Sequence, residues 1–352
     1  MKLNPKERVL ATARRQTPAV MASTFKATPE MERQLMGHFG LTDLEELIPT
    51  LDVCHLHWPW KYIRPRGMQN VRKEGDVSFD IWGVGRKTVC CGDATYEEMV
   101  YHPLAAARTV ADVEHYDWPT LDDLDFSHVP AECEAYAEYA LSLNDWMIYE
   151  NAWQMRGSEQ FLVDLAMNES VARAIIEHIE AFSWEIVRKI VELGGERFQF
   201  FGSADDFGTQ QSLFFSVETW EKYFGPGYCK VYEYAHSLGL KTWLHSDGAV
   251  RPLIPRFIDA GLDILDPLMP TIPEMNPYKI VPEFGADLCF HGTIDVQNLL
   301  PFGSEAEVRD EVRRQIDTLW RGGGVFMAPS HCIQPGTPLR NILAVYEELN
   351  RQ

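Results

Sequence analysis

The chain lacks both a surplus of basic residues and a long apolar run. Its 352 residues include 32 Lys plus Arg against 52 Asp plus Glu, which gives a formal net charge of -20 at pH 7. Because phosphate groups are bound by basic surfaces, this balance argues against nucleic acid or an anionic membrane as a partner. No stretch approaches the roughly 20 apolar residues of a membrane span, and charged residues stand at the N-terminus where a secretory signal is apolar. We therefore expect a cytoplasmic protein.

Cysteine is scarce, and its spacing is irregular. The seven cysteines are an odd number without a disulfide framework, which is more typical of reduced thiols. The glycine run at 322–324 precedes a strand-like segment and not a helix, so it does not predict a phosphate-binding loop. There is no low-complexity linker and no repeat of fixed period. The simplest organisation is one domain, in which residues 1–128 are an elaboration that covers the pocket and residues 129–352 are the core.

Six apolar, β-rich runs in the last two thirds of the chain each end on polar or metal-binding side chains. These endings are Glu150; Asp205 and Asp206; His245 and Asp247; Asp266; His291 and Asp295; and His331 and Cys332. Most of the runs are separated by enough sequence for one or two amphipathic helices. The alternation predicts an α/β fold, a TIM (β/α)8 barrel with an N-terminal elaboration, whose active site lies at the carboxyl ends of the strands.

The hydrophobic periodicity gives approximate bounds for these elements. Helices are predicted over 4–16, 29–48 (a pair), 130–143, 158–193 (two helices), 217–238, 250–260, 276–284, 304–321 and 338–351. Strands are predicted over 146–150, 197–204, 240–245, 262–266, 286–290 and 323–328. Short alternating stretches within 50–127 predict a hairpin or small sheet at the edge of the barrel.

The most specific segment is KTWLHSDGAVRPLIPRFIDAGLDILDP, over residues 241–267. It resembles the uroporphyrinogen decarboxylase superfamily, in which a barrel strand ends in a His-x-Cys-Gly or His-x-Asp-Gly turn. The resemblance extends to SADDFGTQQSLFFSVETWEKYFGPGYCKVY, FHGTIDVQNLL and GGGVFMAPSHCIQPGTPLRNILAVYEE, and so covers roughly residues 145–351. It implies either a porphyrinogen decarboxylase or a zinc-dependent methyltransferase that acts with a corrinoid protein or coenzyme M.

The N-terminal third departs from the decarboxylase pattern, in which paired arginines hold the carboxylates of the porphyrinogen. The corresponding segment, HLHWPWKYIRPRG, offers Arg64 and Arg66 among many aromatic residues. A tetrapyrrole with its many carboxylates needs a strongly cationic pocket, whereas tryptophans suit a small aromatic or methylated substrate. The candidate tryptophans are Trp58, Trp60, Trp146 and Trp153.

The resemblance also implies a metal site. In the zinc methyltransferases of the superfamily, a His-x-Cys pair after one strand and a Cys after the last strand bind zinc, and the matching positions here are His245, Asp247 and His331. Cys332 is an alternative to His331, and Glu150 is a candidate fourth ligand. His, Asp and His are admissible zinc ligands, and this harder set suits an oxygen donor such as a methyl ether.

These residues lead to a mechanistic hypothesis. Zinc is expected to polarise the oxygen of a methylated substrate, most simply a methoxylated aromatic, while a cobalt(I) corrinoid on a carrier protein accepts the methyl group. Glu150, Asp205 or Asp206 is expected to donate a proton to the departing oxygen, although the two adjacent aspartates should point to opposite sides. The expected substrate-binding residues are Trp58, Trp60, Trp153, Phe207, Gln210 and His291.

Structural interpretations of the same residues remain open at this stage. A histidine at a strand end is often a hydrogen-bonded core residue, Asp247 is well placed for a turn or helix cap, and Asp295 suits a turn cap. Two other functions remain as well: a metal-independent decarboxylase of a small or tetrapyrrole acid, and a non-enzymatic binding partner of a corrinoid protein. A homodimer is an admissible assembly that the sequence does not test.

Overall fold

The computed structural model describes residues 3–17, 20–59, 64–65, 72–91 and 94–351. Trp60 and Arg66, two residues of the predicted substrate region, lie outside this part of the chain. Within the described ranges, no helix has both the length and the apolar character needed to span a membrane.

Helices occupy much of the described chain, and several begin at a capping box. Asn4 with Glu7 caps the first long helix, and Ser304 with Glu307 caps a later one, each pair satisfying backbone N–H groups of the first turn. The helices are α1 (Pro5–Ala13), α2 (Pro29–Phe39), α3 (Leu47–Thr50), α4 (Val110–Glu114), α5 (Val129–Ala135), α6 (Ile148–Arg156), α7 (Ser158–Met167), α8 (Glu169–Gly194), α9 (Val217–Tyr223), α10 (Gly225–Ser237), α11 (Ile254–Asp259), α12 (Pro277–Phe284), α13 (Leu299–Phe302), α14 (Glu305–Thr318) and α15 (Leu339–Leu349).

The strands are short, and they form one large sheet and two small ones. They are β1 (Leu56–His57), β2 (Arg64–Pro65), β3 (Arg72–Glu74), β4 (Val77–Phe79), β5 (Gly85–Cys91), β6 (Ala94–Tyr101), β7 (Leu124–Asp125), β8 (Ala140–Trp146), β9 (Phe200–Ala204), β10 (Lys241–His245), β11 (Ile264–Asp266), β12 (Cys289–His291) and β13 (Val325–Phe326). The predicted small sheet in the N-terminal third is present as the antiparallel order β3-β4-β5-β6.

The large sheet is parallel and curled, with seven strands in the order β1-β8-β9-β10-β11-β12-β13. Its strands are apolar on both faces, as expected for a parallel sheet that is covered by helices. In β9, for example, Phe200 and Phe201 are adjacent in sequence and both are fully buried. The α/β class and the strand–helix alternation are therefore confirmed, and the carboxyl ends of the strands meet at one edge.

A segment near the N-terminus adjoins both outer strands of this sheet. Met327 N–H donates to the carbonyl of Ala22 at 3.1 Å, and Cys54 N–H donates to the carbonyl of Ser23 at 2.7 Å. Farther along, Ile333 N–H donates to the carbonyl of Lys26 at 3.0 Å. The segment therefore lies between the chain that follows β13 and the chain that leads into β1.

Several predicted boundaries are wrong. The helix predicted over 130–143 ends at Ala135 and residues 140–146 form β8, while the strand predicted over 146–150 is wrong because α6 begins at Ile148. Alanine and leucine favour a helix there, but parallel pairing with β1 and β9 buries Leu141 and Leu143 and overrides that local preference. As a result, Glu150 lies in the first turn of α6 and not at a strand end.

The helix predicted over 217–238 is also divided, into α9 and α10. Pro226 lies in the first turn of α10, where a proline without an N–H is tolerated. A Cβ atom at Gly225 would lie 2.9 Å from the ring of Trp220, so the chain can pass this close only as glycine. The break therefore has a steric cause that periodicity alone does not reveal.

Candidate active site

The register of the large sheet brings the polar strand endings together. His245, the last residue of β10, is the register partner of Ala204 on β9 and of Asp266 on β11. Asp206 and Asp247 follow directly beyond these strand ends, and Asp247 N–H donates to Oδ1 of Asp206 at 2.8 Å. The predicted gathering of these side chains at one edge is thus observed.

His245, Asp247 and His331 form a potential metal site. One ligand atom from each lies within 4.8 Å of the other two. Oδ2 of Asp247 lies 4.0 Å from Nε2 of His245 and 3.5 Å from Nε2 of His331. All three side chains are partly exposed, so the position between them is open to a ligand. Three ligands of this chemistry with one open position are typical of a catalytic zinc site.

The arrangement fits a divalent cation. Zinc bonds of about 2.0–2.1 Å in a tetrahedral site place the ligand atoms roughly 3.3 Å apart, so the observed separations require only a small closing movement. Oδ1 of Asp247 is buried and has no hydrogen-bond partner among the described residues, while Oδ2 faces both imidazoles. A buried carboxylate oxygen without a partner is costly unless a cation or proton compensates it.

Asp266 lies behind this trio and contacts two histidines. Its Oδ2 lies 3.0 Å from Nδ1 of His245, and its Oδ1 lies 2.7 Å from Nδ1 of His291. Burial alone would raise the pKa of Asp266, but the two histidines outweigh burial and hold it well below its usual range. Asp266 is therefore a carboxylate that only accepts hydrogen bonds, which fixes the orientation of both rings.

The two histidines of the trio differ in their electrostatic surroundings. Burial lowers the pKa of His245, but the hydrogen bond and charge of Asp266, together with the charge of Asp247, raise it to about 9. Burial and the positive charges of Lys26 and His245 lower the pKa of His331 to about 4. His331 is thus neutral at pH 7 and can offer a lone pair, whereas a metal ion has to displace a proton from His245.

Asp247 and Cys332 complete the ionisable groups around the trio. Burial raises the pKa of Asp247 to about 6, although the charge of His245 opposes this shift. Burial also raises the pKa of the Cys332 thiol, although the charge of Lys26 opposes that shift, so the thiol remains protonated at pH 7. Cys332 is not part of the three-residue group found within the described chain.

A cavity of about 510 Å³ opens beside the trio. Its described lining combines apolar side chains with three glutamines and contains no lysine or arginine. The residues are Gln210, Asp247, Met269, Val296, Gln297, Pro301, Phe302, His331, Cys332, Gln334, Pro335 and Thr337. The size and lining suit a small, largely apolar ligand with a few polar groups.

Glu150 lies near this edge but is carried by α6. Its carboxylate accepts from Nε2 of Gln154 at 3.0 Å, and Asp206 N–H and the side chain of Trp153 also hydrogen-bond to it. Burial and the negative charge of Asp206 raise the pKa of Glu150, against these hydrogen bonds. A carboxyl group with a raised pKa is suited to donate a proton.

Asp205 has a structural position. It is fully buried, and its carboxylate accepts from Ile148 N at 3.1 Å, from Glu150 N at 2.8 Å and from the hydroxyl of Tyr228 at 2.7 Å. It therefore caps the first turn of α6 from a neighbouring strand. Burial raises its pKa to about 8, although these hydrogen bonds act against the shift. Its full burial and its hydrogen bonds to two backbone N–H groups and a tyrosine hydroxyl do not agree with its predicted catalytic role.

Several predicted substrate-binding residues lie away from the cavity, and Gln210 alone among the five that the structure describes lines it. Phe207 is fully buried among core aromatic rings, including those of Tyr149 and Trp220. Trp146 is likewise buried, because β8 points it into the core. Trp153 packs on the core and Trp58 is exposed, and neither lines the cavity.

His291 and Asp295 have hydrogen-bonding roles. Both ring nitrogens of His291 have protein partners, since Nε2 lies 2.7 Å from Oγ1 of Thr24 and Nδ1 contacts Asp266. His291 is therefore held behind the trio and does not line the cavity. Asp295 accepts from the backbone N–H groups of Gln297 and Asn298, which confirms its predicted role as a turn cap.

The sequence alone assigns no role to Asp266, Thr24 or Phe302. Asp266 ends the strand next to β10 and is the register partner of His245, a position that indicates a ligand-orienting carboxylate. Thr24 and Phe302 carry no comparable signal, because their positions depend on contacts between distant parts of the chain.

Comparisons with known proteins agree with this architecture. The family model described as uroporphyrinogen decarboxylase (URO-D) matches residues 148–352. A solved structure described as a methyltransferase from Methanosarcina mazei has 16% sequence identity to the chain, with a TM-score of 0.65 over 99% of each chain. At this identity the likeness concerns the fold alone. A search of functionally curated proteins finds no match.

Proposed function

The chain belongs to the uroporphyrinogen decarboxylase family, and from this premise we propose that it is a zinc-dependent methyltransferase. It would take a methyl group from a small methylated substrate of the methoxylated aromatic class and pass it to a corrinoid carrier protein. The observation that carries this proposal is the convergence of His245, Asp247 and His331 beside the cavity. The fold shared with a methyltransferase from Methanosarcina mazei supports the same reaction class.

The metal would be held by Nε2 of His245, Oδ2 of Asp247 and Nε2 of His331. When bound, zinc supplies Lewis-acid polarisation of the ether oxygen, which makes that oxygen a better leaving group. The protein's own contribution is to keep these three side chains oriented and to leave the fourth position facing the cavity. Asp266 supports this orientation through its hydrogen bond to His245.

Glu150 is the proposed proton donor. Its carboxyl proton would pass to the oxygen that loses the methyl group, so that the demethylated product leaves as a neutral alcohol or phenol. Asp206 connects this acid to the metal site, because its backbone N–H hydrogen-bonds to Glu150 and its carboxylate accepts from Asp247 N–H. The methyl group itself would leave toward the corrinoid acceptor, and its bond to oxygen is the one that breaks.

The cavity chemistry favours this function over decarboxylation of a tetrapyrrole. A substrate with many carboxylates requires several cationic contacts, and the described lining offers none. Gln210, Gln297 and Gln334 instead provide neutral donors and acceptors beside the apolar wall. A metal-independent decarboxylase of a smaller acid is the second candidate. The match to the uroporphyrinogen decarboxylase family model is the observation that favours it.

We further propose that residues 22–24 act as an eighth strand and close the curled sheet into a barrel. The backbone bonds of Ala22 and Ser23 to Met327 and Cys54 support this closure. Closure would fix the carboxyl ends of all strands around one mouth. Slow hydrogen exchange of the Met327 and Cys54 amides would support it, and rapid exchange of both would contradict it.

The function is tested by incubating the zinc-loaded protein with cobalt(I) cobalamin and a panel of methoxylated aromatics. We expect methylated cobalamin and the matching phenol to form in equal amounts, and to be lost in His245→Ala. Release of carbon dioxide from a carboxylic acid substrate without metal would instead support the decarboxylase. Methylated amines in the same panel test whether the oxygen preference is correct.

A further inference from the structure

Four side chains form a continuous hydrogen-bonded series that begins in the N-terminal segment and ends at the potential metal site. Oγ1 of Thr24 lies 2.7 Å from Nε2 of His291, and Nδ1 of His291 lies 2.7 Å from Oδ1 of Asp266. The other oxygen of Asp266 lies 3.0 Å from Nδ1 of His245. We call Thr24, His291 and Asp266 the relay.

The chemistry of the relay fixes the direction of each hydrogen bond. A carboxylate oxygen can only accept, so both histidines donate from Nδ1 to Asp266. His245 is then left with Nε2 as the only ring nitrogen that a metal can bind. For a neutral His291, Nε2 carries no proton and accepts a hydrogen bond from the hydroxyl of Thr24. Each member therefore determines which atom its neighbour presents.

The relay also connects two parts of the protein that are far apart in sequence. Thr24 belongs to the segment that adjoins both outer strands, and its own N–H donates to the carbonyl of Met327 at 3.4 Å. The carbonyl of Thr24 accepts from the buried hydroxyl of Tyr346 on α15 at 3.1 Å. Backbone and side chain together therefore hold Thr24 against the sheet.

We propose that Asp266 and Thr24 are positioning residues for the metal site, and that metal binding and docking of residues 20–28 are coupled through the relay. The inference rests on the proposed function, since it assumes that His245 binds a divalent cation. The inference rests on ring orientation. A carboxylate that accepts a hydrogen bond from the nitrogen that does not bind the metal sets the orientation of a metal-binding histidine ring. The new element is that this carboxylate is itself held by a histidine that the N-terminal segment orients.

Coupling of this kind is reciprocal. If docking of residues 20–28 favours the metal-binding orientation of His245, then metal binding must favour docking of the segment by the same factor. If Thr24 had a purely structural role, its substitution would change the stability of the protein, but metal would not affect hydrogen exchange of residues 20–28.

The first test measures zinc affinity by competition with a chromophoric chelator, with zinc alone as the probe. We expect Asp266→Asn to bind zinc roughly 10- to 100-fold more weakly than the wild type, the range found for partners of metal-binding histidines. Thr24→Val should lose less zinc affinity than Asp266→Asn. Thr24→Ser should keep the wild-type zinc affinity because it retains the hydroxyl group. Thr28→Val is a matched control, since the hydroxyl of Thr28 lies in the same segment and makes no hydrogen bond to the relay.

The second test measures hydrogen exchange of residues 20–28 with and without zinc. Zinc should slow hydrogen exchange of residues 20–28 in the wild type and in Thr28→Val, and should slow it much less in Thr24→Val. This comparison tests the inference even if Asp266→Asn fails to fold. Unchanged zinc affinity in both relay variants would overturn the relay while leaving the metal site intact. Absence of zinc binding by the wild type would overturn the proposed function and this inference with it.

Discussion

Oδ2 of Asp247 lies 3.5 Å from Nε2 of His331, although the two residues follow different strands of the large sheet. Nε2 of His245 lies 4.0 Å from the same oxygen. The pKa of His245, raised to about 9, makes its ring a cation at pH 7, and a bound divalent cation would take over that role beside the carboxylate. Such a cation would interact with all three groups at once, and the contributions of the surrounding residues can be tested one at a time.

The first prediction separates His331 from its neighbour Cys332. His331→Ala removes a proposed ligand, whereas Cys332→Ser changes a thiol that burial keeps protonated and that lies outside the trio. We expect His331→Ala to abolish zinc-dependent methyl transfer and Cys332→Ser to retain most of it. Zinc affinity and transfer rate should be measured for both variants. If Cys332→Ser is the more damaging substitution, Cys332 is the third ligand.

The second prediction concerns Glu150 as the acid. Burial and the charge of Asp206 raise the pKa of Glu150, and activity that needs its proton should fall as the pH rises through that pKa. Glu150→Gln should lower kcat by about 10²–10⁴-fold, the usual contribution of a general acid, and should remove the alkaline limb of the pH profile. Glu159→Gln, an exposed change on α7, is the control. An unaltered pH profile in Glu150→Gln would exclude this role.

The third prediction concerns Asp205 and stability. Its folded-state pKa is raised from 3.8 to about 8, so its stabilising contribution is complete below about pH 4 and is lost as the pH rises to about 8. Asp205→Asn resembles the protonated acid, and the decline in unfolding free energy over this range should therefore be smaller in the variant. Denaturant unfolding at several pH values measures the difference, and an equal decline in both proteins would contradict the assignment.

A second substitution at this position tests the capping role of Asp205. Asp205→Ala should be destabilising at every pH, because buried groups left unsatisfied each cost about 1–3 kcal/mol. The affected donors are Ile148 N, Glu150 N and the hydroxyl of Tyr228. Denaturant unfolding checks this result, and a near-neutral effect would mean that α6 does not depend on its cap.

The fourth prediction concerns Phe302 at the rim of the cavity. Its side chain is 83% exposed yet lines the cavity beside His331, so it is available to pack on an aromatic substrate. Phe302→Ala should raise KM roughly two- to twelvefold, since aromatic pairs contribute about 0.5–1.5 kcal/mol, with little change in stability. Met167→Ala provides a comparison, because Met167 is 84% exposed and does not line the cavity. Equal KM values for both variants and the wild type would show that Phe302 does not touch the substrate.

The sequence predicted the parts of the site that depend on strand endings. Polar residues after apolar runs identified His245, Asp247 and His331, because parallel strands deliver their carboxyl ends to one edge whatever the details of packing. The boundaries failed where tertiary contacts decided the structure. The sequence predicts residues 140–143 as the end of a helix, and only pairing with β1 and β9 makes 140–146 a strand.

Side-chain direction was the other limit of the sequence analysis. Asp205 and Phe207 flank Asp206 in the chain, yet both are fully buried, one as a helix cap and the other among aromatic rings. Thr24 could not be assigned, since its role exists only where the N-terminal segment meets β12 and its His291. Such positions depend on register and on long-range packing, which a single sequence does not specify.

The zinc content of the purified protein after equilibration with zinc and dialysis tests the metal site directly. A single three-ligand site predicts about one zinc per wild-type chain, with loss of the metal in both His245→Ala and His331→Ala. His115→Ala, an exposed histidine on the surface, should keep it. Retention of the metal in both His245→Ala and His331→Ala, or its absence from the wild type, would contradict the central claim.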